Sequence, residues 1–163
     1  MVLRNTDLLV AIRTLKQDLT DVLDGMDNCL DWKNDPNSWS AREVIYHLID
    51  TPAEGMDFLL RRALKTEGEA FELVPDINNM FEVRLLNDIE QVKADILNIL
   101  DNLELIITDA SWEELTEKTI VVDLVAQGTN EERTVLNLLQ GLFIKHWSQH
   151  VIQLKNTRSS LGL

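Results

Sequence analysis

The sequence predicts an all-α chain, a four-helix bundle with a short extended segment between its third and fourth helices. Three observations predict it. Apolar side chains recur at alternating steps of three and four residues over four long stretches, and clusters of glycine, proline and small polar residues separate those stretches. The chain has 163 residues, of which 45% are hydrophobic, enough for one well-buried core and hence one domain over 1–163.

Leu8, Ile12, Leu15, Leu19, Val22 and Met26 share one stripe of the first helix, with Thr6 as its N-cap and Asp7 favourable at the positive end of the helix dipole. Gly25 and the polar run 31–37, which holds Pro36, end it. Ser40 followed by Glu43 is a capping-box pattern that starts the second helix, with Trp39 placed to fold back on Val44 as a hydrophobic staple. The apolar pattern runs on through Met56, Leu59, Leu60 and Leu64. Pro52 lacks an N–H and crowds the carbonyl four residues back, so a kink is expected near 48–52.

A Gly/Glu-rich connection at 66–79 follows, and Leu85, Ile89, Val92, Ile96, Ile99 and Leu103 mark the third helix. Fifteen or so extended residues at roughly 3.3 Å each can span more than a helix of about 25 residues, so the second and third helices can run parallel. The β-branched run 119–125 predicts the short extended segment, closed by a turn at Gln127-Gly128-Thr129-Asn130. The fourth helix is expected from about Glu131 to Arg158, with Val135, Leu138, Leu139, Leu142 and Phe143 on its apolar face.

Composition excludes several classes of function. A net charge of −13, from 28 acidic and 15 basic side chains, opposes nucleic-acid binding. No window resembles a membrane span or a signal peptide, so a soluble cytoplasmic protein is expected. Cys29 is the sole cysteine. It permits neither an internal disulfide nor a thiolate cage, and it reads as a small boundary residue rather than a nucleophile.

The chain has three histidines, and all fall on inward stripes. His146 and His150 are one turn apart, about 40° around the helix axis and ~6 Å along it, so both imidazoles reach one point. His47 approaches from the second helix, beside Val44 and Leu48. Helical bundles build metal sites in this way. Trp147 stands where a zincin needs glutamate, and the paired Glu-x-x-His motifs of di-iron bundles are absent. A mononuclear three-histidine site follows. Its ligands suit Zn, Ni, Co or Fe and leave a coordination position for water or substrate.

Trp39-Ser40-x-x-Glu43-x-x-x-His47-Leu48, with His146-x-x-x-His150-x-x-Gln153 about a hundred residues later, resembles the DinB/YfiT-like superfamily of metalloenzymes. The resemblance spans nearly the whole chain. It implies an up-down-down-up bundle, a divalent metal, often zinc or nickel, on His47, His146 and His150, and a homodimer. It also implies thiol-dependent chemistry, in which a low-molecular-weight thiol is transferred to a small electrophilic substrate or assists its isomerisation. Gln153 matches the family's glutamine, which either orients a ligand histidine or caps the core. Asp50, three residues after His47, is a candidate acceptor behind a ligand imidazole or else a solvated helix residue. The expected function is a metal-dependent transferase, isomerase or hydrolase for a small molecule. Its rival is a non-catalytic bundle that binds a small ligand or a partner, with a structural metal or none.

Overall fold

The computed structural model of the chain describes residues 4–50, 55–66 and 69–163. Helix α1, Asn5–Leu23, buries Leu8, Ile12, Leu15, Leu19 and Val22, the stripe its spacing predicts. It starts earlier than the Thr6 cap would have it. The Asp7 carboxylate accepts from the Arg4 N–H at 2.9 Å, and Asn5 Nδ2 donates to the Ala110 carbonyl at 2.8 Å, so Asn5 closes the end of a distant helix instead of preceding its own. Gly25, just past α1, takes a φ of 73°, a left-handed turn that costs glycine least.

The capping box forms as expected. The Ser40 N–H reaches Glu43 Oε2 at 2.7 Å, and Ser40 Oγ accepts from the Glu43 N–H at 3.3 Å. Behind it the second helical stretch is two helices, α2 at Ala41–Ile49 and α3 at Met56–Lys65. The expected kink at Pro52 lies outside the described residues.

Arg42, on the first turn of α2, is buried. Its guanidinium meets both Asp31 carboxylate oxygens at 2.7 and 3.0 Å and donates to the carbonyls of Arg84 and Asn87 at 2.9 and 2.5 Å. One buried cation thereby ties the segment before α2 to the segment before the third long helix.

Leu85 does not belong to that helix. It lies in a short helix α4, Glu82–Leu85, which buries no side chain. The long helix α5, Ile89–Asp109, starts at the Asp88 cap and buries Ile89, Val92, Ile96, Leu100 and Leu103. Charged pairs strap α5 to α1, with Lys16 and Arg13 both bonded to Glu104 at 2.8 and 2.7 Å. The short helix α6, Trp112–Glu117, follows, with Ser111 as its cap.

The chain is not all-α. Strands β1 (Glu69–Leu73), β2 (Thr119–Leu124) and β3 (Thr129–Thr134) form a sheet in the order β1-β2-β3. β1 runs parallel to β2, with Phe71 beside Val122 and Leu73 beside Leu124. β3 runs antiparallel to β2, with Arg133 beside Ile120 and Glu131 beside Val122. The extended segment expected at 119–125 is thus the centre of a sheet, not an isolated strand.

Paired residues on neighbouring strands project to the same side. Phe71, Ile120 and Val122 are buried on the face that also carries Leu73, Leu124, Glu131 and Arg133.

The fourth helical stretch starts at Val135 rather than Glu131, because β3 takes 129–134 and Thr134 Oγ1 caps the helix by accepting from the Asn137 N–H at 3.1 Å. It comprises α7 (Val135–Leu139), a π-helical segment (Gln140–Trp147) and α8 (Ser148–Ser160). No helix among the described residues is long and apolar enough to cross a membrane.

Candidate metal centre

His47 lies on α2 and is 4% exposed. His146 lies in the π-helical segment and His150 on α8, both half-buried. One nitrogen from each ring falls within 4.8 Å of the other two. His47 Nε2 and His146 Nε2 are 3.1 Å apart. Two imidazole nitrogens on a tetrahedral zinc, each at about 2.0–2.1 Å, would stand about 3.3 Å apart. The rings meet edge to face, with centroids 4.6 Å apart for His146 and His150 and 5.0 Å for His47 and His150.

The outer nitrogens of two rings are already engaged. His47 Nδ1 is 2.6 Å from the Ile77 carbonyl, and His150 Nδ1 is 2.8 Å from Gln153 Oε1. A carbonyl oxygen only accepts, so each Nδ1 carries the proton and each Nε2 keeps its lone pair, that of His47 beside His146 Nε2. Ligand histidines in metal sites are held in this way.

Burial pushes all three imidazoles below the ordinary histidine value of 6.5, His146 to about 4. For His47 the Ile77 carbonyl pulls the other way, as Gln153 does for His150. At neutral pH the rings are therefore uncharged, the state in which imidazole ligates.

Local structure explains the convergence. In the π-helical segment the bonds run from i to i+5, a wider turn that is often found at functional sites. Ser148 Oγ follows the same period, donating to the Phe143 carbonyl at 3.2 Å. Across the bundle the loop after β1 brings Ile77 onto His47. Asp76 and Asn79, on either side of Ile77, have φ values of 58° and 53°, a left-handed conformation that aspartate and asparagine accept more readily than most residues. Asn79 Nδ2 donates to the Tyr46 carbonyl at 3.4 Å, and Arg84 Nη1 donates to the Asn79 carbonyl at 2.6 Å. The loop is thereby fastened to the end of α2.

Asp50 takes part in that fastening. Its carboxylate lies 2.5 Å from Arg84 Nη1, and the guanidinium sits over the Tyr46 ring at 4.4 Å. Asp50 thus braces the loop that carries Ile77. Trp39 packs its indole against His47 at 4.8 Å and nearly parallel to His150 at 6.2 Å, so the expected staple residue is also a wall of the cluster. The Ile77 carbonyl escapes sequence reasoning because any residue type could supply it. Arg133 and Asp76, which join the histidines in lining a cavity of about 350 Å³, escape it because the sheet and the loop that place them are set by distant pairing.

The donor set fits a divalent transition ion. Three neutral imidazoles of borderline softness suit zinc or its neighbours, and His47, His146 and His150, which would hold the ion, all line the cavity.

No family model matches the chain, and no curated protein matches it in sequence. Among solved structures the chain is similar to YfiT from Bacillus subtilis, with a TM-score of 0.78 over 99% of this chain and 91% of that one, at 15% sequence identity. YfiT is described as a probable metal-dependent hydrolase with an unusual four-helix bundle topology. At that identity the likeness shows a shared fold, and the resemblance drawn from the histidine motifs is borne out at that level.

Proposed function

We propose that the chain is a metal-dependent enzyme in which His47, His146 and His150 hold one divalent ion, zinc or nickel before iron or cobalt, at the floor of a substrate cavity. The observation that carries this reading is the convergence of the three ring nitrogens within 4.8 Å, beside a cavity of about 350 Å³, which is of metabolite size.

Hydrolysis of a small molecule is the reaction favoured. The support is the fold shared with a protein described as a probable metal-dependent hydrolase, together with three histidines that line one cavity. When bound, the ion supplies Lewis acidity, polarising a carbonyl and activating a nucleophile at neutral pH. The chain supplies the rest. His47 and His150 are held at Nδ1 by Ile77 and Gln153, which leaves each Nε2 available to ligate, and the apolar walls shed water around the reacting group.

Thiol transfer is a second reading, supported by the motif resemblance and by the affinity of such ions for thiolate. An up-down-down-up helix course, a single domain, a homodimer and a cytoplasmic location belong to the same proposal and rest on the sequence resemblance and composition.

The test begins with the metal content of untagged protein, expected at one ion per chain and lost in His146→Ala. Zinc-loaded protein is then assayed on small esters and amides, with and without a low-molecular-weight thiol. Turnover without thiol supports hydrolysis, and turnover only with thiol shifts the assignment to transfer. Activity unchanged in His146→Ala, or no ion bound, overturns the proposal in favour of a non-catalytic bundle.

A further inference from the structure

The walls of the cavity are unequal. Leu73, Leu124, Ala126, Pro75 and Leu142 are apolar, and Asp76 and Arg133 are its two charged side chains among the described residues. Asp76 belongs to the histidine end, where its charge acts on His47.

Arg133 stands on β3, opposite Ile120. Its side chain leaves the sheet on the face where Ile120 and Val122 are buried and where Leu73 and Leu124 reach the cavity. Arg133 therefore stands on the cavity side of an edge strand, its side chain about a third exposed at the cavity rim. Glu131, two residues back on the same face, accepts from Arg133 Nε and Nη2. That contact fixes the guanidinium, and the remaining N–H groups are those that would meet a ligand.

We propose that the cavity selects small, mostly apolar substrates that end in a carboxylate, and that Arg133 receives the carboxylate while the reacting group lies at the histidines. This rests on reading the histidine cluster as a catalytic metal site. The apolar lining suits the body of such a molecule. A planar guanidinium held by a neighbouring carboxylate recognises a second carboxylate through paired N–H donors.

The experiment titrates hexanoate and hexanamide, equal in length and different in charge, into the protein with and without zinc, followed by nuclear magnetic resonance shifts. The wild type should bind hexanoate about tenfold more tightly than hexanamide, the size expected of one charge-assisted hydrogen bond. Arg133→Gln should bring the ratio near one with zinc affinity unchanged, and Arg133→Lys should keep part of it. A preference that survives Arg133→Gln, a preference seen only with zinc, or no binding of either probe overturns the proposal. A preference that needs Arg133 in a protein that binds no zinc supports the pocket and sinks the metal reading, so the two fail separately.

Discussion

His150 and Gln153 lie one turn apart on α8, and His150 Nδ1 approaches Gln153 Oε1 to 2.8 Å. One turn of helix thus supplies both an imidazole and the group that sets its tautomer. Removing the amide frees the ring to rotate and lets the proton shift to the inward nitrogen. Gln153→Ala should weaken zinc binding by about 10- to 100-fold, the range found when such supporting partners are removed. Gln153→Glu should restore or strengthen it, since a carboxylate accepts the same N–H. Competition against a chromophoric chelator measures both. Equal affinities in all three proteins would assign Gln153 a packing role alone.

The three imidazoles make a prediction about pH. Each is held below 6.5 by burial, His146 down to about 4. Between the folded and unfolded values the unfolded chain binds more protons, so stability rises with pH across that window. The contribution is complete above about pH 6.5 and is lost as pH falls toward about 4. Glu43 and Glu104 are held below the ordinary carboxylate value, so their losses come in more acid solution. Urea midpoints of the metal-free protein should fall between pH 6.5 and 5, and more steeply than those of His146→Asn. Parallel profiles would show that the folded His146 imidazole titrates normally.

Arg42 offers a test of the frame around the site. It is 5% exposed and holds Asp31 and two carbonyls, so its loss leaves several polar groups without their partner. Arg42→Met leaves the Arg84 and Asn87 carbonyls without their donor and should cost about 3 kcal/mol, lowering Tm by roughly 6–12 °C for a chain of this size. Arg42→Lys should not restore it, because an ammonium cannot make the paired contact. Asp31 is largely exposed, and Asp31→Asn, which keeps an oxygen to accept from the guanidinium, should cost less than Arg42→Met, about 1 kcal/mol. A thermal melt of the three variants checks the order. A Lys variant as stable as the wild type would show the paired geometry to be unimportant.

What the sequence discloses depends on how local the cause is. The stripe of α1, most of that of α5 and the Ser40–Glu43 box follow from neighbours within two turns and are seen in the structure, although Leu85 falls in α4 and Leu100 is buried where the spacing predicts Ile99. The stretch 129–134, rich in polar and charged residues, has no strand signal of its own. It becomes β3 by pairing with β2, which moves the start of the last helix four residues on. β1 is equally non-local, since its partner in β2 is about fifty residues away. The candidate site divides along the same line. The histidine pair one turn apart and the inward stripe of His47 are visible as spacing, whereas Gln153 enters only through the family resemblance, which leaves its role open between orienting a ligand histidine and capping the core. The Ile77 carbonyl on His47, and Asp50 turned to Arg84, depend on the loop between β1 and α4 and on its two left-handed residues.

Gly141 lines the cavity one π-helical turn before His146. A Cβ built there meets nothing within 4 Å, and its φ is not in the left-handed region, so the backbone does not require glycine. Its use is therefore the space it leaves open. Gly141→Ala should keep or raise stability, by up to about 1 kcal/mol from helix propensity alone, and should leave zinc affinity unchanged because no ligand ring moves. Gly141→Leu should still fold, while its side chain occupies part of the roughly 350 Å³. Catalytic efficiency should then fall at least tenfold on the larger members of a substrate series and least on the smallest. Thermal melts, chelator competition and a chain-length series of esters separate these effects. A uniform loss across the series, or a loss of zinc in either variant, would show that Gly141 shapes the helix that carries His146 rather than the room in front of it.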